Sequence, residues 1–201
     1  MTSVVRNPVE MADRVSAPAP EPLPQIPERF VVFDLETTGL DPHTDEIIEI
    51  GAIRWDQRTG SEEPFSVLVR PRQALSRYIS ELTGITSSML DAEGVRIEDA
   101  LLQFQDFIGE LPLVSYAAGF DMGFLEKALR ASDPQLELHN SVCCAMQLAR
   151  RAWPFLPSFR LTDVAGNGAS FEQAAHRALG DCERALLVYR AAVQEIRKLA
   201  G

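Results

Sequence analysis

The stretch FVVFDLETTGL, residues 30–40, places two acidic side chains within a segment whose pattern indicates a buried strand. Its first four residues are aromatic or β-branched, which is typical of a strand in the middle of a sheet. Because side chains alternate along a strand, Asp34 and Glu36 are predicted to share one face, with Leu35 on the other. Two neighbouring carboxylates there are costly without a counter-ion, and a divalent cation with oxygen ligands would supply one. A solvated strand face also carries alternating charges, so this pair alone leaves both interpretations open.

Three further candidates follow along the chain. Asp121, in YAAGFDMGFL, ends a predicted buried strand at the start of a helix, where an acid also simply complements the helix dipole. His176 and Asp181, in HRALGD, are separated by about 500° on a continuous helix, so they would not share a face. The chain is therefore predicted to turn between them, with Asp181 in the first turns of the last helix and His176 on the preceding loop. In isolation, an ordinary loop imidazole is the favoured interpretation of His176.

The remaining pattern predicts an α/β fold with a mixed sheet flanked by helices. Three strand candidates, at 30–36, 47–56 and 63–71, follow one another with short connections, which favours an antiparallel meander. Helical and strand patterns then alternate, which is typical of parallel strands joined by helices. These later elements are a loop with a short helix at 76–94, a helix at 97–110, a strand at 111–118, a helix at 120–132, a strand entering a helix at 141–153, a short helix at 160–168 and a final helix at 178–199.

The N-terminal residues 1–28 have a different composition from the rest of the chain. They contain nearly half of its 13 prolines, which is incompatible with a regular helix or a central strand. We therefore interpret residues 1–28 as a flexible or polyproline II tail, and residues 29–201 as one folded domain. A docking segment for a protein partner is the second interpretation of the tail.

Composition narrows the classes of function. The chain has 201 residues, 46% of them hydrophobic, which suits one globular domain. Its net charge of −10 argues against a broad basic surface for nucleic acid, but not against an enzyme that holds a few nucleotides through bound cations. No apolar run approaches the roughly 18 residues that span a membrane, and no secretory signal is evident. The three cysteines lack disulfide-type spacing, so we expect reduced thiols in a cytoplasmic protein.

Taken together, three segments resemble the exonuclease motifs of the DEDDh, or DnaQ-like, 3′–5′ exonucleases. They are DLETTGL at 34–40, YAAGFDMGFL at 116–125 and HRALGD at 176–181. This family includes the proofreading subunit of bacterial replicases and ribonuclease T. ELTGIT at 81–86 and LARRAWP at 148–154 are similar to segments between the motifs, and the resemblance covers about residues 29–199. It implies a ribonuclease H-like fold and metal-dependent removal of nucleotides from single-stranded 3′ ends.

The resemblance also implies a role for each matched residue. Asp34 would bridge two Mg²⁺ or Mn²⁺ ions, Glu36 and Asp181 would complete one metal site, and Asp121 would hold the second ion through water. His176 would be the general base that takes a proton from the attacking water, for which a neutral imidazole is suited near pH 7.

The turn after the first strand has an expected role in substrate binding. Its residue types favour a sharp turn whose N–H groups and hydroxyls could hold a nucleotide end. Thr37, Thr38 and Leu40 match positions that contact the 3′-terminal nucleotide in the family, with Leu40 as an apolar wedge against a base. The similarity of this turn to proofreading subunits favours DNA slightly over RNA as substrate.

Two departures from the family pattern bear on function. Tyr116, Ala117 and Ala118 replace the usual His-Asn-Ala, which puts the rate and substrate preference in doubt. The chain stops at Gly201, whereas replicase proofreading subunits carry a C-terminal extension, so we expect a stand-alone exonuclease.

A non-catalytic nucleic-acid-binding module with the same fold is the alternative function. A homodimer is left open: apolar residues such as Trp153 and Phe155 could form its interface or line a substrate groove, whereas packing against the domain's own core is the favoured interpretation.

Overall fold

The computed structural model describes residues 23–132, 138–166 and 177–201. The strands in these ranges are β1 (Arg29–Thr37), β2 (Ile47–Asp56), β3 (Ser61–Leu68), β4 (Leu113–Ser115) and β5 (Val142–Cys144). The helices are α1 (Arg77–Thr83), α2 (Ser87–Glu93), α3 (Ile97–Ile108), α4 (Ala118–Ser132), α5 (Ala145–Ala152), α6 (Leu161–Ala165) and α7 (Ala178–Ala200). Within these ranges, no helix is both long enough and apolar enough to cross a membrane.

The strands form one mixed sheet with β1 at its centre. The order is β3-β2-β1-β4-β5, with β1–β2 and β2–β3 antiparallel and with β4 and β5 parallel to β1. The predicted meander and the predicted mixed α/β sheet are therefore confirmed. Because β1 is the central strand, helices cover both of its faces and bury most of its side chains.

The two faces of β1 are covered by different helices. Val31, Phe33 and Leu35 belong to a core that includes residues of α3 and α4. Phe30 and Val32 belong to a second core with α5 and α7, and they pair across the ladder with Trp55 and Ile53 of β2. By the same alternation, Asp34 and Glu36 lie on the α7 face. That face is thus apolar under the body of α7 and acidic near its N-terminus.

Several element boundaries differ from the sequence-based prediction. The segment 76–94 contains two short helices, because Ser76 and Thr86 each accept a hydrogen bond from a backbone N–H of the turn that follows. The strand predicted at 111–118 is reduced to β4, since helical geometry already begins at Ala118. Asp121 consequently lies in the first turn of α4 and not at a strand end.

The segment that leads into β1 packs on the domain. Ile26 contacts the core under α7, and the Tyr189 hydroxyl donates to the Gln25 carbonyl oxygen at 3.4 Å. Of the predicted tail, residues 1–22 lie outside the described part of the chain. Among the described residues 23–28, Gln25 and Ile26 make these contacts before β1 begins.

Candidate active site and metal centre

Three carboxylates meet at the carboxyl end of β1. One oxygen from each of Asp34, Glu36 and Asp181 lies within 4.8 Å of the other two. β1 carries the first two residues, and the first turn of α7 carries Asp181. An acid in that turn also stabilises α7, because a helix N-terminus bears partial positive charge. This spacing of oxygen donors suits a divalent cation of the Mg²⁺ or Mn²⁺ type.

Asp121 approaches the same place from α4. Its side chain is only 2% exposed, and it accepts a hydrogen bond from the hydroxyl of Ser115, the last residue of β4. Because β4 pairs with β1, the first turn of α4 is held beside the end of β1. Asp121 therefore completes what we call the acidic cluster: Asp34, Glu36, Asp121 and Asp181.

Burial and mutual repulsion make this cluster costly when it is fully ionised. Burial raises the pKa of Asp34 well above its ordinary value, and the charges of Asp121 and Asp181 raise it further. Burial, followed by the charge of Asp181, raises the pKa of Glu36 to about 8. Burial also raises the pKa of Asp121 to about 7, although the Ser115 hydrogen bond acts in the opposite direction. A bound cation would reverse these effects, because it favours the ionised form of every neighbouring carboxylate.

A further acid of the sheet, Glu49 on β2, is paired with the guanidinium group of Arg177. Glu49 is 1% exposed and is the partner of Glu36 across the β1–β2 ladder. Its Oε1 accepts from Arg177 Nη2 at 2.7 Å, and its Oε2 accepts from Arg177 Nε at 2.9 Å. The Ser66 hydroxyl also donates to Glu49 Oε1, at 3.0 Å. The guanidinium fork thus neutralises a carboxylate next to the acidic cluster.

All four members of the acidic cluster open onto one cleft of about 260 Å³. The rest of its wall is mainly apolar, formed by Leu35, Leu82, Tyr116, Ala117, Phe120 and Leu161. Tyr116, where the family commonly has histidine, is 6% exposed and donates its hydroxyl to the Phe159 carbonyl oxygen at 2.7 Å. A cleft lined by both acids and apolar groups suits a ligand that joins a cation-binding phosphate to a flat base.

The turn after β1 is held by its own side chains. The Thr37 hydroxyl donates to the Gly39 carbonyl oxygen at 2.6 Å. Thr38 Oγ1 accepts from the Glu46 N–H at 3.0 Å and lies 3.4 Å from Asp45 Oδ1. Leu40 extends from the turn and is 84% exposed. The geometry therefore fixes the turn and leaves Leu40 at the surface, where the predicted contact with a base remains a prediction.

The structure brings together the four acids that the sequence singled out, whereas His176 lies outside the described residues. Sequence reasoning missed Glu49, Arg177 and Ser115. A signal for Glu49 was present, because IIEIGAI places one acid among apolar residues on a strand with Gly51 two positions later. Nothing in the local sequence indicates that its partner is Arg177, because 128 positions separate the two residues.

Comparison with protein families gives one match over the domain. The exonuclease family model of the RNase T type matches residues 31–189, which includes all three motifs. The DNA polymerase III subunit epsilon of Aquifex aeolicus is 32% identical over 167 residues, which cover 83% of this chain and 81% of that protein. The PolC-type DNA polymerase III of Clostridium perfringens is 38% identical over 158 residues, which cover 78% of this chain. The chain spans only about 10% of the length of that polymerase.

Solved structures share the same fold at low sequence identity. The zinc-bound complex of Escherichia coli exonuclease I with single-stranded DNA superposes with a TM-score of 0.68 and 23% identity, covering 85% of this chain and 41% of that one. Exonuclease X in complex with 5′-overhanging duplex DNA gives a TM-score of 0.63 and 24% identity, covering 86% and 93%. These likenesses confirm the predicted ribonuclease H-like arrangement of the sheet and helices.

Proposed function

This chain belongs to the exonuclease family, and we propose that it removes nucleotides from single-stranded 3′ ends by metal-dependent hydrolysis of phosphodiester bonds. Membership confirms the resemblance to the DnaQ-like 3′–5′ exonucleases that the three motifs gave. The single observation that carries the proposal is that one carboxylate oxygen from each of Asp34, Glu36 and Asp181 lies within 4.8 Å of the other two, in the lining of an open cleft.

The donor set fits the metal that the proposal requires. Its ligands are carboxylate oxygens, which Mg²⁺ and Mn²⁺ prefer. The raised pKa of Glu36, about 8, identifies a group that burial and neighbouring acids disfavour as an anion and that a cation would stabilise. Two bound ions would stabilise charge on the attacking and leaving oxygens of an in-line displacement.

The residues of the site have separate tasks in this proposal. Asp34, Glu36 and Asp181 would hold one ion, and Asp121 together with Asp34 would hold the second. The apolar wall of the cleft, with Phe120 and Leu161, receives the terminal nucleotide and limits the water around its phosphate. His176 takes the proton of the attacking water, an assignment that rests on its place in the HRALGD motif.

We propose DNA as the preferred substrate. Two observations support this choice: the relatives are named as a DNA polymerase and a DNA polymerase subunit, and the fold neighbours were solved with DNA. Thr37, Thr38 and Leu40 are the residues assigned to the 3′-terminal nucleotide. Discrimination against RNA would act on the 2′-hydroxyl, which is the group that separates the two polymers at a given site.

The proposal is tested by digesting matched DNA and RNA oligonucleotides, labelled at either end, across a titration of Mg²⁺ and Mn²⁺. We expect a 5′-labelled strand to shorten stepwise and a 3′-labelled strand to release a mononucleotide at once. Asp34→Ala should abolish both signals. Glu62→Gln, on the exposed edge strand β3, is a matched control that removes one carboxylate and should leave the rate unchanged.

Three outcomes would contradict all or part of the proposal. If the folded protein shortens no substrate with either metal, the proposed exonuclease activity is excluded. Tight binding of single strands that Mn²⁺ leaves unchanged would instead identify the non-catalytic module. Faster digestion of RNA than of DNA would overturn only the preferred substrate.

A further inference from the structure

We infer that Glu49 and Arg177 form a positioning pair that sets the metal-binding geometry of Asp181 and Glu36 without touching the metal. This inference rests on the proposed function, because it concerns the same acidic cluster. The pair lies beside the cluster and joins β2 to the residue that precedes α7.

The first observation concerns the start of α7. Arg177 is the N-cap residue, and no side chain of its own turn caps the helix. Glu49 performs this task from β2, because its Oε2 accepts from the Ala178 N–H at 3.2 Å as well as from Arg177 Nε at 2.9 Å. An uncapped helix start leaves its first N–H groups without partners, so a buried carboxylate here fixes where α7 begins.

The second observation connects this cap to Asp181. The Asp181 N–H donates to the Arg177 carbonyl oxygen at 3.1 Å, as the first turn of α7 closes. Two hydrogen-bonded steps therefore lead from β2 to the metal-binding carboxylate: Glu49 holds Arg177 by side chain, and Arg177 holds Asp181 by backbone. Displacing Arg177 would displace Asp181 relative to β1.

The third observation concerns Glu36. Glu49 is its direct partner across the ladder, so the two carboxylates lie on the same face of adjacent strands. Without Arg177, Glu49 would add another negative charge beside Glu36. With Arg177 in a bidentate pair, both oxygens of Glu49 are engaged and the carboxylate is withheld from the metal.

The geometry of the Glu49–Arg177 pair distinguishes a positioning role from direct ligation of the metal. Glu49 is 1% exposed, whereas the Arg177 side chain is 40% exposed, so the pair is closed on the sheet side and open on the other. Each oxygen of Glu49 accepts from Arg177 and from one further donor, Ser66 or Ala178. Residues that orient metal ligands in this way typically change metal affinity or activity by about 10–100-fold when they are altered.

The test measures Mn²⁺ binding by calorimetry on the full chain, without nucleic acid, and then kcat and KM on a labelled DNA oligonucleotide. For Glu49→Gln we expect the Kd for Mn²⁺ to rise about 10–100-fold and kcat to fall by a similar factor, with KM changed far less. Arg177→Lys keeps the charge and loses the fork, so it should produce a smaller loss in the same direction. If Glu49→Gln does not fold, Arg177→Lys decides the question alone.

A stability control separates positioning from general destabilisation. Ile196→Ala removes a buried side chain near the other end of α7 and should lower the melting temperature without changing the Kd for Mn²⁺. If Glu49→Gln and Arg177→Lys also leave the Mn²⁺ Kd and kcat within twofold of the parent, the pair is merely structural and the inference is wrong. A parent chain that binds Mn²⁺ but digests nothing would refute the proposed function and leave the binding test decisive. A parent that binds no Mn²⁺ would overturn both.

Discussion

Gly51 of β2 and Ala178 of α7 are in direct contact at the point where the helix begins. A Cβ added to Gly51 would lie 2.6 Å from the Ala178 Cβ and 2.8 Å from the Leu179 N, both closer than real contacts allow. Gly51 is also the ladder partner of Asp34. The absence of a side chain on β2 is therefore what permits the first turn of α7, with Asp181, to approach Asp34.

Gly51→Ala should consequently damage the site through packing. The new methyl group must push the start of α7 off the sheet, which we expect to cost about 1–3 kcal/mol in the free energy of unfolding. Metal affinity and exonuclease rate should fall together, because Asp181 moves with the helix. Urea unfolding and Mn²⁺ titration check this. Gly123→Ala is the control, because its Cβ would meet Pro42 Cγ at an ordinary 3.6 Å and should not destabilise the protein.

Asp34→Asn should separate stability from activity. The substitution removes a carboxyl group whose ionised form is disfavoured first by burial and then by the charges of Asp121 and Asp181, so the metal-free protein should become more stable. The melting temperature of the metal-free protein should therefore rise. Exonuclease activity should be lost, since the carboxylate assigned to both ions is gone. Calorimetry with a chelator checks the first effect, and a variant less stable than the parent would contradict it.

The stability of the metal-free protein should decrease as pH rises from about 5 to 8. Glu36 has a pKa near 8 in the folded protein against an ordinary value of 4.5, so in this window the folded state binds more protons than the unfolded chain. The favourable contribution is complete below the unfolded pKa and is lost as pH rises through the folded one. Melting temperatures in the presence of chelator measure this trend.

Glu36→Gln supplies the matched comparison for the pH series. It cannot titrate, so its melting temperature should depend less on pH over the same range. Saturating Mg²⁺ should reduce the difference between the two proteins' slopes, because the cation favours the ionised form of Glu36. Equal slopes for parent and variant without metal would show that Glu36 titrates normally.

His176→Ala should slow hydrolysis while metal binding is retained. Loss of a general base typically costs about 10²–10⁴-fold in rate, whereas the proposed ligands are all carboxylates. Single-turnover rates and Mn²⁺ calorimetry measure the two effects separately. His139→Ala, an exposed histidine between α4 and β5, is the control and should match the parent. Parent-like rates for His176→Ala would remove the base assignment, and weaker Mn²⁺ binding would make His176 part of the metal site.

Tyr116→Phe tests the residue that departs from the family pattern. It removes the hydrogen bond to the Phe159 carbonyl oxygen, 2.7 Å long, and we expect a loss of about 0.5–1.5 kcal/mol in the free energy of unfolding. Tyr189→Phe removes a longer bond, 3.4 Å, to the Gln25 carbonyl oxygen and should cost less. Urea unfolding of both variants gives the comparison, and an equal or larger loss for Tyr189→Phe would contradict the ranking.

Element types and chain order were predictable because they depend on local pattern. The alternation in β1 correctly placed Asp34 and Glu36 on one face and Leu35 on the other. The predicted ends of helices and strands were less accurate, because one or two residues determine each end. For example, α4 begins at Ala118, two residues earlier than the periodicity indicated.

The sequence by itself determined which acids are candidates and which elements carry them, since strand alternation and motif order are properties of the chain. Only the tertiary structure decided how those elements meet. The need for glycine at position 51 is explained only by the packing of α7 against it. Glu49 caps α7 only because the fold places Arg177, 128 positions away in the sequence, beside it. Such contacts depend on the packing of distant segments, and no local periodicity encodes the partner of a single buried charge.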